Sequence, residues 1–306
     1  MRKVNFGNTG ERVSAIIAGC MRLNSLDAVS AAHYIDNAME HEVNYFDHAD
    51  IYGKGACEEI FGKAWKMLKI KREEMVVQSK CGIVPGVMYD SSKEHIIASV
   101  DASLKRLGME YLDVLLLHRP DALMEPEEVA VAFDELEKKG KVRKFGVSNM
   151  KPMQIEWLKK SVKQPLVVNQ LQVSVAHSSM IRNGLEVNML TSGAIDHDGS
   201  VLEYCQLKDI TIQAWSPLQY GMIEGAFLLN DDFAAVNNTL TEIGEKYGKS
   251  ATAMAIAWLL RHPSNMQVLT GTTNKARFDD ICQACDVQLT KQEWYRIYMA
   301  AGNILP

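Results

Sequence analysis

No stretch of this chain approaches the ~18–20 consecutive apolar residues of a membrane span, and no stripe of lysine and arginine marks a nucleic-acid surface. A net charge of −5 and a pI near 5.9 set it against nucleic acid or anionic membrane as main partner. A dinucleotide fingerprint is also missing: Gly53-Lys54-Gly55 lacks the third glycine of G-x-G-x-x-G, which excludes a Rossmann-type site. Cysteine is too sparse for a secreted disulfide scaffold, because the six (Cys20, Cys57, Cys81, Cys205, Cys282, Cys285) are scattered, and a reduced cytoplasmic protein is expected. Cys282-Gln-Ala-Cys285 has no second pair for zinc and no strand just before it for a redox motif, so it reads as core. Ile17-Ala18-Gly19-Cys20 imitates a lipoprotein cleavage site, but polar Asn5–Arg12 stands where an apolar signal core belongs.

What is present is a repeating unit. Apolar runs Ser14–Gly19, Val43–Phe46, Met75–Ser79, Leu112–Leu117, Arg143–Val147, Leu166–Asn169, Thr211–Ala214 and Gln267–Leu269 read as strands, and the first five alternate with segments at helical spacing: Leu26–His41, Glu58–Leu68, Lys93–Leu107, Glu127–Lys139 and Pro152–Ser161. Alternation of this kind gives a parallel sheet. Eight strands with no linker-like composition predict one domain over 1–306, a (β/α)8 TIM barrel. Asn8-Thr9-Gly10 between Val4-Asn5-Phe6 and Arg12-Val13 signals an N-terminal β-hairpin able to plug the barrel floor, and Thr290–Asn303 reads as an extra C-terminal helix. Gln170–Ser200 is far longer than an ordinary βα connection. Its His177, Asp196, His197 and Asp198 lack metal-ligand spacing and read as solvated, so no metal is assigned.

Three strands end in functional side chains. Asp47, Lys80 and His118 recur at intervals of 33 and 38 residues, about one strand-helix-strand unit each, so in a parallel barrel they share the carboxyl-end rim, and Tyr52 follows Asp47 by five residues. A tyrosine hydroxyl is a poor acid at neutral pH, but an ammonium nearby favours its ionised form. Lys80 supplies that charge, Asp47 pairs with the buried lysine, and His118 joins Tyr52 at a substrate oxygen. None of these groups gives two electrons, so a carbonyl substrate needs a hydride-carrying cofactor. Taken singly, each residue has a plainer reading: a strand-end aspartate caps, a tyrosine packs, a histidine sits satisfied in the core. Four suitable types in one phase carry the case.

Phe46-Asp47-His48-Ala49-Asp50-Ile51-Tyr52-Gly53 resembles the aspartate-tyrosine motif of the aldo-keto reductases, and Lys80 and His118 match that family's other two catalytic positions. Gly146-Val147-Ser148-Asn149, Asn169-Gln170, Ala214-Trp215-Ser216-Pro217-Leu218 and Gly271-Thr272-Thr273-Asn274 resemble its cofactor-contacting segments, in the same order along nearly the whole chain. The resemblance implies reduction of aldehydes or ketones, with Tyr52 as proton donor and NADPH as hydride source, NADH being the alternative cofactor. It implies that Ser148, Asn149 and Gln170 meet the nicotinamide carboxamide and that Trp215 stacks on the ring. Ser216, Leu218 and Gly221 would run past the pyrophosphate, with Met21 and Arg22 at the ribose side. The opening of the last helix, Gly271-Thr272-Thr273-Asn274-Lys275-Ala276-Arg277, offers amides, hydroxyls and cations suited to a phosphate. By resemblance Thr272, Asn274 and Arg277 take the 2′-phosphate and Asp280 the adenine. Ile281 stands where many family members have a hydrogen-bonding asparagine.

Two other functions fit the same residues. One is a redox sensor or regulatory subunit that holds the cofactor with little turnover. The other is a metal-dependent hydrolase using Asp47, His48, Asp50 and His118, for which a further ligand at proper spacing is lacking. A small-molecule carbonyl is the expected partner, with the protein a monomer or weak homo-oligomer.

Overall fold

The computed structural model describes residues 1–222 and 224–305. A short antiparallel hairpin, β1 (Lys3–Asn5) and β2 (Arg12–Ser14), pairs Val4 with Val13. Eight parallel strands follow: β3 (Ile16–Gly19), β4 (Tyr45–Asp47), β5 (Val76–Cys81), β8 (Leu112–Leu117), β9 (Val142–Ser148), β10 (Leu166–Gln172), β11 (Thr211–Trp215) and β12 (Gln267–Thr270). They pair in chain order and close, β12 on β3, so the predicted (β/α)8 barrel is what forms. β6 (Ile83–Val84) and β7 (Met88–Tyr89) make a second small hairpin on the loop after β5.

The helices surround the barrel: α1 (Ala28–Glu40), α2 (Ala56–Trp65), α3 (Lys93–Leu107), α4 (Pro126–Lys138), α5 (Pro152–Leu158), α6 (Ser179–Leu185), α7 (Val201–Leu207), α8 (Ala234–Tyr247), α9 (Ala251–Arg261), α10 (Lys275–Cys282) and α11 (Lys291–Ala300). Their starts follow from local chemistry. Asp27, Ser92, Ser250, Asn274 and Thr290 each accept a backbone N–H of the first turn, and Thr290 and Glu293 form a reciprocal capping box. The long Gln170–Ser200 connection is not structureless, since it holds α6, and Asp196 builds its last turn by accepting the N–H groups of Asp198, Gly199 and Ser200. Between β11 and β12 the sequence pattern placed no helix, yet α8 and α9 lie there. Val236, Leu240 and Ile243 of α8 carry a legible stripe, whereas Ala253–Leu260 of α9 is buried on every side and shows no polar face to set a period.

The hairpin does close the barrel floor. Phe6 is buried with its ring edge-on to Tyr45, 5.9 Å between centroids, and Gly7 donates its N–H to Thr211 Oγ1 at 2.7 Å. Ile17-Ala18-Gly19-Cys20, the segment that imitates a cleavage site, is fully buried, its first three residues in barrel strand β3. Cys282 is buried at the end of α10, and all six cysteines are free thiols. Among the described residues no helix is long and apolar enough to cross a membrane.

Candidate active site

Side chains two apart on a strand point the same way. On β4 and β5 this sets Tyr45 beneath Asp47 and Gln78 beneath Lys80, and on β11 Gln213 beneath Trp215, so the barrel interior is layered. The upper layer reaches the carboxyl-end rim. Lys80 Nζ, fully buried, donates to Asp47 Oδ2 at 2.7 Å, to the His48 carbonyl at 2.7 Å and to the Tyr52 hydroxyl at 3.1 Å. Tyr52 arrives by a tight turn: its N–H bonds the Ala49 carbonyl, and Gly53, Lys54 and Gly55 then take positive φ (56°, 56° and 92°) to swing the chain into α2. Two glycines make that left-handed run affordable, and Lys54 carries the strain. His118 sits immediately past β8, its ring perpendicular to that of Tyr52 with centroids 6.0 Å apart. The four residues predicted from spacing therefore converge.

Electrostatics assigns their charge states. Burial pulls the Lys80 pKa down, but Asp47 and then Tyr52 more than offset it, so the ammonium is held above its ordinary value. Burial raises the Tyr52 phenol and Lys80 pulls it back only in part, leaving it above its ordinary value. This amends the simple expectation of a tyrosine acidified by lysine: the lysine acts in that direction, and desolvation outweighs it. Burial, then Lys80 and Arg119, hold His118 well below its ordinary value, so the ring is neutral, and its Nδ1 has no partner. His48 does not join the group. Its imidazole lies edge-on to Phe61 at 4.6 Å, burial takes its pKa down to about 3, and both nitrogens are unpartnered. Among the described residues no three His, Cys, Asp or Glu side chains are arranged to hold a metal ion.

The residues singled out for the cofactor follow the opposite arc of the rim. Ser148 Oγ donates to the Gln170 carbonyl at 3.0 Å, Asn149 Nδ2 to Ser148 Oγ at 2.8 Å, and Trp215 Nε1 to Asn149 Oδ1 at 3.1 Å, a chain across β9, β10 and β11. Asn149 and Ser216 both adopt left-handed backbone, φ 56° and 48°, where strand becomes loop. Leu218 packs on the core and Gly221 accepts from Gln172 Nε2 at 2.8 Å. Arg22 reaches across to the Gly271 carbonyl at 2.9 Å, and Met21 beside it is exposed. At α10, Asn274 caps the Arg277 N–H and Thr272 Oγ1 accepts from Asn274 N, with Thr273 between them. Arg277 is exposed and has no carboxylate partner among the described residues, whereas Lys275 is tied to Asp279 at 2.8 Å and to Asn37 at 2.6 Å. Asp280 takes both its bonds from Ser250 Oγ at 2.7 Å, and Ile281 is buried.

Residues 15–301 match the model of the Aldo/keto reductase family. The chain belongs to this family of oxidoreductases. Among curated relatives, the oxidoreductase YcsN of Bacillus subtilis is 38% identical over 300 residues, covering 94% of each chain. A 6-dehydroglucose reductase of Agrobacterium fabrum is 33% identical, again over 94% of each. The barrel superposes on that of a thermostable aldo-keto reductase crystallised with the inhibitor epalrestat, with a TM-score of 0.79, 24% identity, and coverage of 98% of this chain and 100% of the other.

This aldo/keto reductase also has polar groups inside the barrel that spacing did not single out. Gln78, Gln213 and Gln267 are fully buried beneath the rim, with Gln170 above them. A signal was available: Gln78 and Gln213 each stand two residues before a singled-out rim residue, on the same face of the strand.

Proposed function

We propose that this chain reduces the carbonyl of a small aldehyde or ketone with NADPH, Tyr52 giving the proton to the oxygen. The observation that carries it is Lys80 Nζ held between Asp47 Oδ2 and the Tyr52 hydroxyl, 2.7 and 3.1 Å away, beside a neutral His118. When bound, the reduced dinucleotide supplies the hydride. The chain's residues do the rest. Tyr52 stays protonated through neutral pH, as a donor must, and the Lys80 ammonium stabilises the phenolate left behind. His118 offers a second donor to the carbonyl oxygen, and Asp47 keeps Lys80 in place.

The residues on the other arc fit a nicotinamide dinucleotide. Gln170 Oε1 takes no hydrogen bond among the described residues and, unlike Gln164 Oε1 and Gln219 Oε1, is not sealed from solvent. With Ser148 and Asn149 it would hold the carboxamide, while Trp215 faces the ring and Ser216, Leu218 and Gly221 follow the pyrophosphate. Arg277, without a carboxylate partner among the described residues, would take the 2′-phosphate with Thr272 and Asn274, favouring NADPH over NADH.

The test follows the reduced-nicotinamide absorbance over a panel of carbonyls, with NADPH and NADH in parallel. The name of the Agrobacterium relative makes 6-dehydroglucose the first substrate to try. Turnover is expected with NADPH, and Tyr52→Phe is expected to lower kcat by a factor of about 10³ or more while sparing dinucleotide binding. Undiminished kcat in that variant would refute the proton-donor role, and tight binding without oxidation across the panel would favour a sensor.

A further inference from the structure

Beneath the rim, amides close a ring on the catalytic aspartate. Asp47 Oδ1 accepts from Gln78 Nε2 at 2.6 Å and from Gln170 Nε2 at 3.0 Å. The same two nitrogens donate to Gln213 Oε1, at 2.8 and 3.0 Å. Two NH2 groups thus bridge two acceptors, and each amide spends both of its N–H bonds inside the ring. Gln213 Nε2 faces three acceptors below, the Tyr45 hydroxyl at 3.1 Å, Gln78 Oε1 at 3.2 Å and Gln267 Oε1 at 3.1 Å. Gln267 in turn donates to the Ser14 carbonyl at 2.8 Å, anchoring the set at the barrel floor.

The direction of every amide follows from one group. An ionised carboxylate only accepts. Turning Gln78 or Gln170 over would set a carbonyl oxygen against Asp47, and turning Gln213 over would set its NH2 against two others. Gln170 therefore faces inward with nitrogen, and its free outward atom is the acceptor Oε1.

We propose that Gln213 is a positioning residue, which through one oxygen fixes both the aspartate that holds Lys80 and the outward acceptor of Gln170, so that the proton-donating and dinucleotide-binding arcs share one support. This rests on the reductase reading above. A buried amide is costly to leave unmatched, so removing Gln213 Oε1 strands one N–H of Gln78 and one of Gln170, and both amides shift together against Asp47 to recover an acceptor. Two consequences follow. Gln170 Oε1 no longer faces a carboxamide N–H reliably, and Lys80 is held less firmly against Tyr52, whose other charged or titratable neighbours are Asp47, Cys20 and His118.

The experiment compares Gln213→Met with Gln267→Met. Both put an isosteric thioether in the same buried layer, but loss of Gln267 leaves Gln213 Nε2 two acceptors, Tyr45 and Gln78. Dinucleotide affinity is read without turnover, from quenching of tryptophan fluorescence, and the basic limb of the kcat pH profile is read at saturating NADPH. Gln213→Met is expected to weaken NADPH binding about tenfold and move the basic limb up by about one pH unit. Gln267→Met should move neither, although both lower the melting temperature. Equal effects in the two variants, or none in Gln213→Met, would overturn the assignment. Should Gln213→Met fail to fold, Gln78→Met opens the ring on one side and is expected to shift the basic limb with a smaller loss of affinity, because Gln170 keeps both acceptors; an unmoved limb would overturn the proposal. Wild-type protein that neither binds nor oxidises NADPH would instead sink the reductase reading itself.

Discussion

The two arcs of the rim are built differently. On β4 and β5 Asp47 and Lys80 stand on strands, with Tyr52 and His118 shortly past β4 and β8, and Lys80 bonds Asp47 and Tyr52 at 2.7 and 3.1 Å. On β9 to β12 Ser148, Gln170 and Trp215 lie at or near the ends of their strands, and the other singled-out residues lie in loops or at a helix start. Asn149 bridges Ser148 and Trp215, Arg22 straps Gly271, and Arg277 is exposed. Strand pairing fixes where a side chain emerges and which way it faces. A helix start fixes only backbone amides, and its long side chains go where partners draw them. The first arc is thus set largely by the fold, whereas in the second the exposed side chains are not fixed by it.

Removing Lys80 should break the first arc most completely. Lys80→Met strips the ammonium from Tyr52 and leaves Asp47 buried with only neutral donors, a class of change that costs about 3–5 kcal/mol. A fall in kcat by a factor of at least 10² is expected, together with a clear drop in the urea midpoint. Because the Lys80 pKa is raised in the fold, the stabilisation linked to its ammonium is full below the ordinary lysine value of about 10.4 and is lost as pH climbs through the higher folded value. Unchanged stability at pH 7 would mean that the pair is not what holds Asp47.

The same contrast explains what could be read from the chain. Leu112–Leu117 and Lys93–Leu107 fall where periodicity puts them, and the Asp47, Lys80 and His118 intervals translate directly into a shared rim because one βα unit has a nearly constant length. Tyr52 was legible from its place five residues after Asp47, and the left-handed run of Gly53, Lys54 and Gly55 beyond it turns the chain into α2. The glutamine layer was hidden by its own regularity: Gln78, Gln213 and Gln267 each occur once in an apolar strand, and nothing local reveals that they meet across the barrel. Lys275 was misleading for a related reason. Next to Arg277 it looks like a second phosphate cation, but Asp279, one turn on, and Asn37 from α1 already hold it.

That difference between neighbouring cations sharpens the second arc. Arg277→Ala is expected to weaken NADPH binding about tenfold, the worth of one charge-assisted contact, while NADH affinity stays level. Lys275→Ala should change NADPH affinity less than about threefold, because its ammonium is already committed. Titrating both variants with both dinucleotides checks this. A larger loss from Lys275→Ala would show that the lysine leaves Asp279 when ligand arrives, making this arc more rearrangeable than its free geometry.

The smallest expected effect concerns Asp50, which stands within the first arc without serving its chemistry. Its N–H donates to the Lys80 carbonyl, so the backbone helps seat β5, but its Oδ1 is buried without a partner. Burial first, and then the nearby Glu58 carboxylate, push its pKa from 3.8 up to about 6. A raised acid pKa means that folding favours the protonated form: the stabilisation is full below the unfolded value and disappears as pH rises from about 4 through 6. Asn mimics that protonated form at every pH. Asp50→Asn should therefore match wild type at pH 4 and exceed it at pH 8. The ceiling is about 3 kcal/mol at roughly 1.4 kcal/mol per pH unit, and about 1–2 kcal/mol is expected because partial exposure lets water screen the charge. Urea unfolding at the two pH values measures it. A gain of the same size at both would mean that Asp50 is not under electrostatic strain, and that the first arc, unlike the second, tolerates a charge it does not use.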